Sequence, residues 1–175
     1  QYSNVTKCKN LSWKMFCHKR LRLIGLCQSA YIEKILKRYC MENSKRGSIP
    51  MQEKLKLSKS QGASTHAKMK RMQNVPYASA IGFIMYAVRC THPDVVFAQN
   101  VTSRFQQNSS DIHWTTVKNI LKYLRNTKDM FLVYGGDLKR DLKVSCYTDA
   151  GYLTDADDLK SQTGYVFILN GGAVD

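Results

Sequence analysis

Acidic side chains are scarce in the first 75 positions: 3 Asp or Glu stand there against 17 Lys or Arg, while residues 76–175 hold 10 of each. The whole formal charge of +14 is therefore N-terminal to Pro76. That asymmetry points to a polyanionic partner or a basic arm, with an unpartnered solvated surface as the plain alternative. Paired cysteines are missing too. The six cysteines at 8, 17, 27, 40, 90 and 146 include no CxxC, and the histidines at 18, 66, 92 and 113 keep no zinc-ligand spacing with them. No zinc site is expected, and reduced thiols in an intracellular protein of cytoplasm or nucleus are expected, since no charged leader with an apolar core opens the chain. Long apolar runs are also absent: residues 72–88 are uncharged, but they include Gln73, Asn74, Pro76 and Ser79. Such a stretch makes a buried helix and no membrane span.

What is present is enough apolar matter to fold, 43% of residues, in a chain long enough for one domain and part of another. The alternation in "LRLIGLCQ" predicts a strand over 21–28, preceded by a weaker one at Trp13–Cys17, the two forming a hairpin around His18–Arg20. Ser29 is placed to cap a helix running to about Met41, with Ile32, Ile35, Leu36 and Tyr39 on one face. Residues 42–74 read as a connecting segment with a short helix near His66–Met72.

Three helices follow, with links short enough for an antiparallel bundle. The first starts at Pro76 and sets Tyr77, Ile81, Ile84, Met85 and Val88 on its inner stripe; the second starts at Pro93 and buries Val95, Ala98, Val101, Thr102 and Phe105. The third is capped by Ser110 or Asp111 and buries Val117, Ile120, Leu121 and Leu124. Lys118, Lys122 and Arg125 form a basic stripe beside its apolar face, with Trp114 at the boundary. This is the layout of a phosphate-tracking surface, and equally of a solvated helix whose long side chains cover core edges.

After Gly135 and Gly136 the period shortens from 3.6 to 2. "LKVSCYT" and "GYVFIL" read as two strands of an antiparallel hairpin, with Asp149 at the end of the first and a further turn at Gly171 and Gly172. Phosphodiester hydrolysis by two Mg²⁺ ions requires several converging carboxylates around ions roughly 4 Å apart. Asp149 is suited to bridging such ions but not to holding them alone. Asp155, Asp157 and Asp158 fall in an inter-strand loop, where acids most often form solvated turns. No GxGxxG, GxxxxGK[ST], GxSxG or HExxH is present. The histidines near helix starts, His66, His92 and His113, have capping or packing as their ordinary role.

Taken in order, "AYIEKILKRYCM", "VPYASAIGFIMYAVRCTHPDVVFAQNVTSRFQQN", "HWTTVKNILKYLRNTKDM" and "CYTDAGYLTDADDLKSQTGYVFILNGGAVD" resemble the Pol polyprotein of Copia-type LTR retrotransposons over about residues 21–175. The resemblance implies a chain that begins late in the reverse transcriptase, at a basic palm end and linker (1–75). It then passes a helical thumb or connection (76–129) and enters a truncated RNase H-like domain (130–175). The expected fold is α+β: N-terminal strands and a helix, a central three-helix bundle, and a C-terminal antiparallel β-hairpin of an incomplete RNase H-like sheet. Asp149 then matches the first metal-binding Asp of RNase H. The polymerase Asp pair of the family lies upstream of residue 1 and the remaining RNase H carboxylates beyond Asp175. The chain departs from the family pattern at Phe83, His92, Ser109–Ser110 and Gly151–Tyr152.

The implied function is a nucleic-acid-binding fragment that holds an RNA/DNA hybrid and is catalytically inactive alone. The nucleic-acid contacts are assigned to Lys118, Lys122, Arg125 and Trp114. Asp149 is a partial catalytic and metal site, Mg²⁺ is the cofactor of the intact parent with none expected here, and the remainder of the reverse transcriptase is a further candidate partner. The alternative is a relic helical scaffold or a protein-interaction module.

Overall fold

A computed structural model describes residues 5–7, 14–18, 22–53, 55–135, 143–151 and 162–174. Among them the protein is α+β, with five α-helices and two antiparallel sheets. The first sheet is four-stranded, ordered β1 (Val5–Lys7), β2 (Lys14–His18), β3 (Leu23–Cys27) and β4 (Leu132–Gly135). The expected β2–β3 hairpin is present, with Phe16 opposite Gly25. A Cβ at position 25 would stand 1.9 Å from the Phe16 ring, so glycine lets that ring lie across the strand. Phe16 also meets Phe131 edge-on at 5.1 Å, beside the start of β4. Strand β4 was not anticipated; it joins from more than a hundred positions away, pairing Leu26 with Leu132 and Leu23 with Gly135.

Helix α1 (Ser29–Arg38) follows β3 with only Gln28 between them. Gln28, not Ser29, holds the capping position, and the Ser29 hydroxyl is buried in the first turn without a hydrogen-bond partner. So short a junction carries Ser29 into the helix. The helix also stops earlier than Met41. Cys40 turns left-handed (φ 54), the Met41 N–H donates to Leu36 O at 2.8 Å, and the Cys40 N–H donates to Lys37 O at 3.1 Å. These two bonds together form a Schellman close.

Helix α2 (His66–Gln73) is capped by Thr65, whose hydroxyl accepts from the Lys68 N–H. Helices α3 (Tyr77–Cys90), α4 (Val96–Ser103, entered through a 3-10 turn at Pro93–Val95) and α5 (Asp111–Thr127) form the expected bundle. The core is wider than three helices. Ile32, Ile35 and Leu36 of α1 share it with Ile81 and Ile84 of α3, Ala98 of α4, and Val117, Ile120, Leu121 and Leu124 of α5. On α3 the inner stripe runs Tyr77, Ala80, Ile81, Ile84, Ala87, Val88. Met85, expected on that stripe, is 45% exposed, because one step of 100° carries it off the seam that Ile84 occupies. Phe83 is half-buried, edge-on to Tyr39 and covered by the Arg38 guanidinium at 5.1 Å, so the bundle accommodates its bulk.

The second sheet runs β5 (Val144–Gly151), β6 (Gln162–Leu169), β7 (Gly172–Ala173). Asn170 and Gly171 both have positive φ (47 and 87), the two-residue turn that matches the twist of a hairpin. Asn170 is also the joint between the sheets. Its carbonyl accepts from the Gly135 N–H at 2.9 Å, its N–H donates to Lys143 O at 2.9 Å, and its side-chain oxygen accepts from the Lys143 N–H at 2.7 Å. The Tyr134 hydroxyl donates to Ala173 O at 2.8 Å, adding a second tie.

Candidate nucleic-acid and metal sites

Asp149 lies on β5, two residues before the strand ends, directly opposite Gly164 of β6. Strand alternation sets it on one face with Tyr147 and Ser145. Its carboxylate is exposed, and a Cβ on Gly164 would meet nothing within 4 Å, so the surface around it is open. Asp155, Asp157 and Asp158 fall outside the described residues. Among the described residues no three His, Cys, Asp or Glu side chains come together as a metal-holding group. A two-ion centre requires more donors than one exposed carboxylate supplies, so the described residues do not fit Mg²⁺ as a resident cofactor.

The basic stripe of α5 sits where the sequence places it, with Lys118, Lys122 and Arg125 all half-buried. Two of the three also hold the fold together. The Arg125 guanidinium donates to the Ser44 carbonyl. The Lys122 backbone carbonyl accepts from the Gly47 N–H at 3.0 Å, and its ammonium reaches Asn119 Oδ1 at 3.4 Å. Together these contacts pin residues 44–47 onto α5. Trp114 packs against the core, its ring tilted or edge-on to Tyr39 at 6.2 Å and Tyr77 at 6.3 Å. Lys118 has no hydrogen-bond or ion-pair partner among the described residues.

His113 and His92 behave as their positions predict, whereas His66 is exposed at the start of α2. His113 Nδ1 accepts from the Ser110 N–H at 3.1 Å, and the ring stacks on Phe105 with centroids 4.1 Å apart. The reciprocal bond closes the first turn of α5 as a glutamate does in a capping box. His92 is buried where α3 gives way to α4, its Nδ1 2.8 Å from the Thr91 hydroxyl. Burial lowers its pKa, against the opposing pull of Asp94 and of the Thr127 backbone. Tyr123 donates its hydroxyl to Asp94, and burial first, then that bond, pushes the phenol up to about 12. Tyr77 donates to Thr102 O at 2.8 Å, and burial likewise raises its pKa. These are packing networks, and no nucleophile is activated in them. The sequence signal for the first was Ser110 with His113 three residues later; the Tyr123–Asp94 pair left no local signal.

No family model and no solved structure matches the chain. Among curated proteins it is similar to the retrovirus-related Pol polyprotein from transposon TNT 1-94 of Nicotiana tabacum, 43% identical over 164 residues, which are 94% of this chain and 12% of the polyprotein. It is 31% identical over 148 residues to the Pol polyprotein from transposon RE2 of Arabidopsis thaliana, covering 83% of this chain and 9% of that one. It is also 40% identical over 105 residues to secreted RxLR effector protein 161 of Plasmopara viticola, covering 59% of this chain and 71% of that protein. The chain thus spans a small part, 9 to 12%, of the Pol polyproteins it matches. With identity to transposon polyproteins along nearly its whole length, the chain belongs to the Pol polyprotein family of Copia-type LTR retrotransposons.

Proposed function

We propose that this chain is the part of a Copia-type Pol polyprotein in which reverse transcriptase gives way to RNase H, and that it holds an RNA/DNA hybrid without cleaving it unaided. Residues 1–75 are read as the palm end and linker, 76–129 as thumb or connection, and 130–175 as the start of the RNase H-like sheet. The observation that carries this reading is the 43% identity to a transposon Pol polyprotein over 94% of the chain. The N-terminal charge excess supports a polyanionic partner. Lys118 and Lys122 are the stripe residues whose ammonium groups suit phosphate oxygens, with Arg125 and Trp114 shaping the surface beside them. Asp149 is assigned as one metal ligand of a centre that other carboxylates complete in the intact parent, where Mg²⁺ supplies charge stabilisation. An intracellular setting, cytoplasm or nucleus, is part of the same reading.

The test is a filter-binding titration of the full chain against an RNA/DNA hybrid at several salt concentrations. Affinity is expected to fall steeply as salt rises, because neutralised phosphates release counterions. Added Mg²⁺ is expected to leave the hybrid intact. Undetectable or salt-insensitive binding would overturn the reading. So would hydrolysis in Mg²⁺ that Asp149→Asn abolishes. One observation favours the second reading, a helical scaffold or protein-interaction module: Arg125 and Trp114 are committed to internal contacts. Failure to bind any hybrid, with the fold intact, is the outcome that reading expects.

A further inference from the structure

Four cations meet around the last turns of α1 and α5. The Lys128 ammonium, just past α5, binds Glu33 Oε1 of α1 at 2.5 Å and stands 4.0 Å from Asp129. Lys14 of β2 is paired with Cys27, whose thiol donates to the Lys128 carbonyl at 3.4 Å, so β2 runs alongside the same corner. Lys37 lies one helical turn beyond Glu33. The charges of Lys37 and Lys14 both reach the Glu33 carboxylate and, after the Lys128 bond itself, help hold its pKa low. Arg46 reaches the corner from the 42–47 segment, where its charge acts against that of Lys128.

The arrangement is built rather than incidental. Arg46 sits between two anchored neighbours: the Ser44 carbonyl is bound by Arg125, and the Gly47 N–H by Lys122 O. The Ser44 hydroxyl closes back onto Met41 O at 2.7 Å. Both facing carboxylates, Glu33 and Asp129, lean on Lys128, while Lys14, Lys37 and Arg46 stand exposed and form no ion pair within 4.0 Å among the described residues. Like charges fixed side by side repel, and a row of phosphates relieves that repulsion while releasing its own counterions.

We propose that this corner, with Lys14, Lys37 and Arg46 as its contacts, is the surface that grips the nucleic-acid backbone. The inference rests on the hybrid-binding reading and relocates its main contact from the stripe to the end of α5. Arg125 and Lys122 act there as positioning residues, holding the segment that presents Arg46. The contacts are to phosphate and carry no base sequence.

The test uses the full chain and an RNA/DNA hybrid in fluorescence anisotropy across a salt series, with three proteins of matched fold by thermal melting. These are the unsubstituted chain, the triple variant Lys14→Gln/Lys37→Gln/Arg46→Gln, and a control of equal charge loss, Lys56→Gln/Lys68→Gln/Lys70→Gln. The corner variant is expected to lose affinity by about tenfold or more at roughly 0.1 M salt. Its log–log salt slope should shrink by about 0.7 to 0.9 per contact removed, with the control near the unsubstituted chain. If the unsubstituted chain binds steeply and the corner variant matches it, the corner is not the contact and the hybrid-binding reading survives. Equal losses in the two variants would mean that binding follows net charge, which also overturns the corner. If the unsubstituted chain does not bind, the underlying reading falls and the corner with it.

Discussion

Thr91 Oγ1 and Gln28 Oε1 lie 2.7 Å apart, both buried, across 63 positions of sequence. The amide oxygen can only accept, so the Thr91 hydroxyl donates to it and is left to accept from His92 Nδ1 at 2.8 Å. That bond places a proton on Nδ1 of His92, and burial disfavours a second one on Nε2. Its folded pKa lies below the unfolded value of about 6.5. The stability this gives is complete above about 6.5 and is lost as pH falls through the folded value. Urea unfolding between about pH 7.5 and pH 5 should show stability declining with acid, and His92→Gln should flatten the decline. An unchanged slope in the variant would place the titration elsewhere.

Gly82 stands mid-helix in α3, on the exposed side, with nothing within 4 Å of a Cβ built on it. Replacing it with alanine removes the entropic cost of glycine without a clash. Gly82→Ala should raise unfolding free energy by about 0.5–1 kcal/mol in a urea melt. A loss of stability would show that the position is crowded.

Leu121 is fully buried among the four core helices, whereas Phe97 of α4 is 66% exposed. Leu121→Ala should cost about 2–5 kcal/mol, the transfer loss plus the cavity left behind. Phe97→Ala should stay within about 0.5 kcal/mol. The same thermal-melt series reads both, and a large loss at Phe97 would mean that its ring is covered in solution.

Asn170 combines a left-handed backbone with an acceptor for the Lys143 N–H. Asn170→Ala removes both advantages and should cost about 1–3 kcal/mol, while Asn170→Gly keeps the backbone freedom and should cost less. Amide exchange at Gly135, whose N–H donates to the Asn170 carbonyl, should quicken more in the alanine variant. Equal rates in both would argue against the joint.

The elements that local pattern encodes were legible. The β2–β3 hairpin, α2, α3 and α5 announce themselves by periodicity and capping, and even His113 sits where a first-turn side chain reaches back. Three things were not. Strand β4 is four residues long and exists by pairing with β3, a contact no local window contains. The end of α1 depends on Cys40 turning left-handed, which that residue type does not advertise. The exact position of the second hairpin turn was the third: Asn170–Gly171 forms it, one residue before the Gly171–Gly172 pair that the pattern offers. At the candidate site, Asp149 was placed on its strand by alternation alone. The internal duties of Trp114 and Arg125 were hidden because their partners, Tyr39 and Ser44, come from another helix and a distant loop.

The β5–β6 ribbon shows Tyr147 to water on one side and Tyr165 and Phe167 on the other. A ribbon wetted on both sides supplies little of its own cohesion. Gentle warming should therefore fray the molecule from this end, and a trace of protease should trim it to a stump of helices closed by β4, long before the bundle yields.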